Sequence, residues 1–182
     1  MKSSRAVLTA VVILVVVGAG WWLFHRRGAE HVDLMAQFDQ ATKKPNAAAF
    51  QVVDATLAGE TKKAIAAPPN GRIIFHVKVP DDGWLKVSLG VKPEAWTVEG
   101  NGVYFYAGVS DGKSFEQLFN QTLNPFANAS ERRWVPVTVD LSAYAGEEIN
   151  VIFNTLASGP GGAPTDDRGD MPLWGAPEVV RR

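Results

Sequence analysis

At 182 residues, the chain has room for one domain of ordinary size and a short appendage. Its 18 Lys and Arg residues nearly balance its 19 Asp and Glu residues, so its net charge offers no basis for binding nucleic acid. The sequence has no cysteine, which excludes disulfides, thiolate metal sites and cysteine nucleophiles. The stability of the fold must therefore come from packing.

An uncharged, almost wholly apolar segment runs from Ala6 to Phe24. As a helix at ~1.5 Å per residue, this segment would be ~28 Å long, close to the thickness of the hydrocarbon core of a bilayer. Aromatic and basic residues follow at the point where such a helix would meet the lipid headgroups. We expect residues 1–27 to form a short tail and a transmembrane helix, with interfacial anchors at Trp21, Trp22, His25, Arg26 and Arg27.

A cleaved signal peptide is the alternative interpretation of this segment. Lys2 and Arg5 form a positive amino-terminal region, and residues 17–19 are small enough to resemble a cleavage site. The bulky residues that continue to Phe24 favour an uncleaved anchor. The basic residues on the two sides are nearly equal in number, so charge alone does not set the orientation. The short basic tail favours a bacterial inner-membrane protein with its carboxy-terminal domain on the extracytoplasmic side.

Residues 28–48 are predicted to form a juxtamembrane stalk. Apolar residues three or four positions apart, followed by Pro45, predict a short amphipathic helix from Glu30 to Lys44. The apolar stripe could pack on the following domain, or it could lie on the membrane or dock on a partner protein. The candidate docking residues are Leu34, Met35 and Phe38.

Residues 49–182 have the alternating pattern of half-buried β-strands. In Gly71 to Val79, apolar residues at every second position share one face, and Arg72, His76 and Lys78 share the other. The alternation recurs in four further runs, at residues 85–89, 103–109, 135–141 and 149–153. We therefore predict seven or eight strands in an all-β jelly-roll sandwich.

Two local signals refine this prediction. Asp111-Gly112 lies between two strand-like runs and predicts a β-hairpin, although Phe115, Leu118 and Phe119 would also suit a helical turn. Pro136 cannot donate a hydrogen bond to a neighbouring strand, so its strand is expected at a sheet edge or at a bulge.

The carboxy-terminal half contains three characteristic motifs: Glu131 to Gly146, with its Asp140-Leu-Ser-Ala-Tyr-Ala-Gly turn, the strand Ile149 to Thr155, and the ending Trp174 to Val179. With these motifs it resembles the galactose-binding-like jelly rolls of bacterial membrane-anchored surface proteins. The resemblance extends over residues 71–180 and implies a fold more than a function. Such domains often accompany membrane-bound sulfatases or glycosyltransferases as ancillary modules. Turn formation by Asp140, Ser142 and Gly146, and packing of Trp134 and Trp174, account for these motif residues.

The sequence contains no recognisable catalytic motif. His25, His31 and His76 are widely spaced and predict neither a metal triad nor a Ser-His-Asp set. Acidic residues cluster at Asp81-Asp82, at Asp111 and at residues 166–170, without the spacing of a calcium loop, so solvated turns are expected there. We expect no catalytic residue, no metal ligand and no cofactor.

Two functional hypotheses follow. The first is a non-catalytic accessory subunit of a membrane protein complex, because the chain resembles in layout the small subunits of bacterial photosynthetic reaction-centre and antenna complexes. Its partners would be the lipid bilayer and other subunits. The second is a membrane-anchored carbohydrate-binding module, because the fold resemblance is joined by aromatic residues that could stack on sugars. The candidate stacking residues are Trp84, Trp96, Tyr104 and Tyr106.

Overall fold

The computed structural model describes residues 31–157 and 165–182, which form a two-sheet β-sandwich. The all-β sandwich predicted from the sequence is confirmed. The strands are β1 (His31–Asp33), β2 (Thr42–Lys44), β3 (Gln51–Leu57), β4 (Glu60–Ala66), β5 (Arg72–Lys78), β6 (Gly83–Val91), β7 (Val103–Ser110), β8 (Phe115–Leu123), β9 (Val135–Asp140), β10 (Glu148–Leu156) and β11 (Pro172–Arg181). Short 3-10 helices lie at Ala47–Ala49, Pro93–Ala95, Ala129–Glu131 and Ser142–Tyr144.

The strands form one sheet of six and one sheet of five. The six-stranded sheet has the order β3-β4-β11-β6-β9, with β1 pairing with part of β11. The five-stranded sheet has the order β2-β5-β10-β7-β8. Each strand pair is antiparallel, so one face of each sheet can be apolar and buried while the other is polar and exposed.

The core lies between the two sheets and follows the alternation seen in the sequence. In β5, Ile73, Phe75 and Val77 are buried, whereas Arg72 and His76 are exposed. Residues at every second position of β6, β7 and β10 complete the same buried cluster. The period of two therefore positions the outward-facing polar side chains that could contact a ligand.

The helix predicted from Glu30 to Lys44 is wrong. Residues 31–33 and 42–44 are strands, paired with β11 and β5 respectively, and turns connect them. Asp33 ends β1 by accepting hydrogen bonds from the backbone N–H groups of Met35 and Ala36. The available edges of both sheets thus outweigh the weak helical pattern of this short segment.

This correction also changes the role of the residues proposed to dock a partner. Leu34 is fully buried in the core between the sheets and cannot contact a partner protein. Met35 and Phe38 are half-buried and pack against the same core. The apolar stripe therefore packs on the domain, which was one of the two alternatives considered for it.

The turn predictions agree with the structure in most respects. β7 and β8 form the predicted hairpin, although its loop has four residues, in which Asp111 accepts hydrogen bonds from the N–H groups of Lys113 and Ser114. The helical alternative for residues 115–119 is wrong, because these residues belong to β8. Pro136 lies in β9, at the edge of the six-stranded sheet, as expected.

A second small apolar cluster lies on the outer face of the six-stranded sheet. Trp134 is 4% exposed and packs with Leu57, Ala64 and Leu173. A Cβ atom at Gly90 or Gly175 would lie within 3 Å of the indole ring, so both positions need glycine for the ring to lie flat on the sheet. The prediction that Trp134 and Trp174 supply buried apolar area is confirmed.

Among the residues that the structure describes, no helix combines the length and apolar composition required to span a bilayer. The predicted transmembrane helix and its anchors, Trp21, Trp22, His25, Arg26 and Arg27, lie outside the described residues.

Candidate functional site

Two tyrosines lie side by side on the outer face of the five-stranded sheet. Because Val103, Phe105 and Ala107 of β7 point into the core, Tyr104 and Tyr106 must point outwards. Their ring centroids are 5.8 Å apart and the ring planes are tilted by 33°. Both side chains are half-buried, so the pair forms a supported aromatic surface that is still accessible from outside.

Polar residues of the neighbouring strands flank this tyrosine pair. On β8, Thr122 lies opposite Tyr104 and Asn120 lies opposite Tyr106. On the other side, Asn154 of β10 lies opposite Tyr106. Hydrogen-bonding groups therefore lie on both sides of the aromatic surface, at the separation of adjacent strands, about 5 Å.

Asn154 carries an unpaired hydrogen-bond donor. Its Oδ1 accepts a hydrogen bond from Nε of Arg72 at 2.6 Å. Since the guanidinium of Arg72 can only donate, this bond fixes which end of the amide is the oxygen. The opposite end, Nδ2, is buried and has no hydrogen-bond partner among the described residues, while the whole residue is 2% exposed. A buried unpaired donor costs stability, about 1–3 kcal/mol, and is retained where strain, a functional role or a bound molecule accounts for it.

A pocket of about 290 Å³ adjoins Tyr106 and Asn154. Its size is near the lower limit of ordinary small-molecule sites. The residues that line it come from β2 and the loop after it, from β5 and the loop before it, and from β7 and β10. They are Lys44, Pro45, Asn70, Gly71, Arg72, Tyr106, Asn154, Thr155 and Leu156.

The loop that borders this pocket is held by a buried hydroxyl. Oγ1 of Thr155 donates a hydrogen bond to the carbonyl of Pro68 at 2.8 Å and accepts one from the N–H of Gly71 at 3.2 Å. The side chain of Asn70 accepts a hydrogen bond from the backbone N–H of Ala157. These bonds fix one wall of the pocket before any ligand arrives, which reduces the entropy cost of binding.

The structure separates the four aromatic residues proposed to stack on sugars. Tyr104 and Tyr106 are together, but Trp84 and Trp96 are on the opposite sheet or beside it. Trp96 is held by the small cluster around Trp134, and its Nε1 donates a hydrogen bond to the carbonyl of Val91 at 2.9 Å. Trp96 therefore has a packing role.

Trp84 lies beside a second pocket, of about 300 Å³, on the outer face of the six-stranded sheet. The guanidinium carbon of Arg182 lies 5.1 Å from the centroid of the indole ring, in a cation-π contact. The face of Trp84 is thus already covered by a side chain, although its Nε1 is also buried without a hydrogen-bond partner among the described residues. This cover favours the tyrosine face, meaning Tyr104, Tyr106, Arg72, Asn154 and the pocket beside them, as the candidate site.

The acidic clusters take different forms in the structure. Asp166 accepts two hydrogen bonds from the guanidinium of Arg168, which hold the pKa of its carboxyl at about 2. Asp170 does not fit the predicted solvated turn, because it is 6% exposed and neither carboxylate oxygen has a hydrogen-bond partner in the described part of the chain. Burial, and then the charges of Asp166 and Asp167, raise the pKa of Asp170 to about 7.

Groups suited to metal chemistry do not converge in residues 31–157 and 165–182. No cluster of three or more His, Asp or Glu side chains there could hold a metal ion. His31 pairs with Glu178 on the six-stranded sheet, whereas His76 lies near Glu148 on the five-stranded sheet.

Sequence reasoning identified the tyrosines but missed Arg72, Asn154 and Lys44 as site residues. These three lie on three different strands, and only the pairing of β2, β5 and β10 brings them together. The alternation of β10 places Asn154 on the outer face, where a polar residue is expected, so its polarity alone gives no signal of a site.

Sequence comparisons with known proteins do not assign the chain to a family. No protein-family model matches the chain. Over 109 residues the chain is 35% identical to an uncharacterized protein from Archaeoglobus fulgidus; the match covers 59% of this chain and 26% of that protein. The chain thus spans about a quarter of the length of this relative.

Several solved carbohydrate-binding modules are similar in structure. One is TmCBM61 in complex with β-1,4-galactotriose, with a TM-score of 0.51, 14% identity and coverage of 80% of this chain and 90% of that one. Another is CBM51 from Clostridium perfringens GH95 in complex with methyl-galactose, with a TM-score of 0.44, 16% identity and coverage of 77% and 87%. The chain has a β-sandwich fold like that of carbohydrate-binding modules. At these identities the likeness concerns the fold alone.

Proposed function

We propose that this protein binds carbohydrate, without reacting with it, through the tyrosine face of the five-stranded sheet. We define this face as Tyr104, Tyr106, Arg72, Asn154 and the pocket beside them. The observation that carries the proposal is the half-buried tyrosine pair next to a buried, unpaired amide donor. Sugars present an apolar face of C–H groups and a rim of hydroxyls, and a supported aromatic surface with polar groups at its edges suits both.

The position of these groups in the sheet supports this role. Sites built on strands hold their side chains more precisely than sites on loops. Tyr106 and Asn154 occupy paired positions on adjacent strands, and Arg72 is paired with Asn154 in turn. One row across three strands therefore supplies an aromatic platform, an amide and a guanidinium.

Calorimetric titration of the purified full chain with a panel of oligosaccharides tests the proposal. The panel includes β-1,4-galactotriose and methyl-galactose, together with gluco-, manno- and uronic acid oligosaccharides. Any detergent must lack a sugar headgroup, because alkyl maltosides could compete for the site. We expect saturable binding of at least one oligosaccharide, with loss of binding in Tyr106→Ala and retention in the matched control Trp84→Ala. Binding to no member of the panel, or equal binding by both variants, would contradict the proposal.

The accessory-subunit hypothesis stays a prediction, because it depends on residues 6–24, which lie outside the described residues. The same holds for the inner-membrane location, for the extracytoplasmic orientation and for a photosynthetic partner. A membrane anchor would be compatible with carbohydrate binding, since it would hold the tyrosine face near a cell-surface glycan.

A further inference from the structure

Two basic side chains lie directly opposite each other at the rim of the tyrosine-face pocket. Lys44 of β2 and Arg72 of β5 are paired residues in the sheet, both are exposed, and both line the pocket. Like charges at directly opposite positions of an antiparallel pair repel each other and destabilise the sheet. The protein nevertheless carries the pair at the edge of its five-stranded sheet.

No acidic residue among those that line the described pocket offsets this positive charge. Among the described residues that line the pocket, none is Asp or Glu, and neither Lys44 nor Arg72 forms an ion pair with a described residue. Elsewhere on the same strand, His76 lies 3.6 Å from Glu148. The end of β5 at the pocket is thus positively charged, whereas farther along β5 the acidic residue Glu148 of the neighbouring strand lies close by.

Asn154 orients the guanidinium of Arg72. Its Oδ1 accepts the hydrogen bond from Nε of Arg72. The two terminal nitrogens of the guanidinium have no hydrogen-bond or ion-pair partner among the described residues. A guanidinium binds a carboxylate or a sulfate through two parallel hydrogen bonds, and a lysine adds a point charge. Asn154 is therefore a positioning residue, and Arg72 and Lys44 are the groups available to an anion.

We infer that the ligand of the tyrosine face is an oligosaccharide that carries an anionic group, either a carboxylate or a sulfate ester. This inference rests on the proposed carbohydrate binding and adds its chemical class. The sugar ring lies against Tyr106, and its anionic group lies between Lys44 and Arg72. The unpaired cations, which repel each other in the free protein, then share one counter-charge.

Ligands with and without an anionic group test the inference on the full chain. Trigalacturonate is compared with its methyl ester, which has the same α-1,4-linked backbone without the charge, and a sulfated β-1,4-galactan oligosaccharide is compared with unsulfated β-1,4-galactotriose. The two comparisons distinguish the sulfate from the carboxylate. We expect at least one of the two anionic ligands to bind tenfold or more tightly than its uncharged counterpart. We also expect the difference to shrink when salt is raised from 50 to 500 mM.

Three variants assign the effect to the proposed residues. Arg72→Gln and Lys44→Gln should each remove most of the preference for the anionic ligand. Lys78→Gln, which removes the same charge from the far end of the same strand and face, should preserve it. Lys44 is exposed on an edge strand, so its variant keeps the test valid should Arg72→Gln disturb the bond to Asn154.

The outcomes separate the inference from the proposed function. Equal affinity for charged and uncharged ligands, or a loss in Lys78→Gln as large as in Arg72→Gln, would overturn the charge inference and leave carbohydrate binding in place. Absence of binding to every ligand would overturn both.

Discussion

The rings of Phe153 and Trp174 are stacked, with centroids 4.5 Å apart and planes 10° from parallel. Phe153 belongs to the five-stranded sheet and Trp174 to the six-stranded sheet, so this contact joins the two layers. Trp174 also meets Phe105 edge to face at 5.1 Å. Phe105 lies between the two tyrosines in sequence, and Phe153 directly precedes Asn154. The aromatic core therefore supports the strand segments that carry the tyrosine face.

Replacing Trp174 by alanine should strongly destabilise the fold. The side chain is 1% exposed, and large-to-small changes of buried aromatics typically cost about 3–5 kcal/mol of unfolding free energy. Urea unfolding followed by circular dichroism measures the change. Met171→Ala, at an exposed position three residues away, is the control and should cost less than about 1 kcal/mol. Equal costs for the two variants would show that the stacked contact does not support the core.

Removing the hydroxyl of Thr155 should weaken the pocket wall. Thr155→Val keeps the shape but leaves the carbonyl of Pro68 and the N–H of Gly71 without their buried partner, at a cost of about 1–3 kcal/mol. Thr155→Ser retains the hydroxyl and should lose less stability. Ligand affinity should also fall in the valine variant, because the loop that it holds lines the pocket. A valine variant as stable as the serine variant would contradict this account of the wall.

Stability should depend on pH through Asp170. Its carboxyl has a pKa of about 7 in the folded protein, against an ordinary value of 3.8. Below about pH 4 the carboxyl is protonated in both states and adds no penalty. Between pH 4 and 7 the unfolded chain loses this proton more readily, so stability falls, and above pH 7 the penalty is constant.

Asp170→Asn removes this dependence while it preserves the shape of the side chain. The variant should match the natural protein near pH 4 and exceed it by roughly 2–4 kcal/mol at pH 8 to 9. Urea unfolding across this pH range, in buffer with a chelator, measures the difference. A variant that is less stable than the natural protein at pH 8 would show that the ionised carboxylate is favourably paired.

The two tyrosines should contribute unequally to binding. Tyr106 lines the pocket and lies opposite Asn154, whereas Tyr104 lies two residues earlier on β7, opposite Leu156. Tyr106→Ala should therefore weaken oligosaccharide binding at least tenfold, about 1.4 kcal/mol, and Tyr104→Ala should have a smaller effect. Phenylalanine at position 106 should restore most of the affinity if stacking is the main contribution. A greater loss in Tyr104→Ala would move the centre of the site away from the pocket.

The sequence predicts the parts of this fold that depend on local patterns. Strict alternation located β5 and β7, and Pro136 correctly indicated an edge strand. The turn at residues 140–146 also forms as expected, with the carboxylate of Asp140 accepting a hydrogen bond from the N–H of Ser142 and with Gly146 at a φ of 77°. In each case the residue itself limits the backbone.

Features that depend on which strands become neighbours could not be predicted in this way. Residues 31–44 have a weak helical pattern, but sheet pairing and burial of Leu34 determine their structure. The approach of Arg72 to Asn154 joins positions 82 apart in the chain. The aromatic part of the candidate site could be predicted, because Tyr104 and Tyr106 alternate on one strand. Its polar part could not be predicted, because the neighbours of the tyrosines depend on the strand order of the sheet.

Nuclear magnetic resonance mapping of the bound oligosaccharide on the isotopically labelled full chain tests the central claim most directly. The ligand is the tightest binder from the titration panel. We predict the largest shift changes at Tyr106, Asn154 and Arg72, with the side-chain amide of Asn154 among them and little change at Trp84. Shift changes centred on Trp84 and Arg182, or spread over the surface without a focus, would contradict the assignment of the site to the tyrosine face.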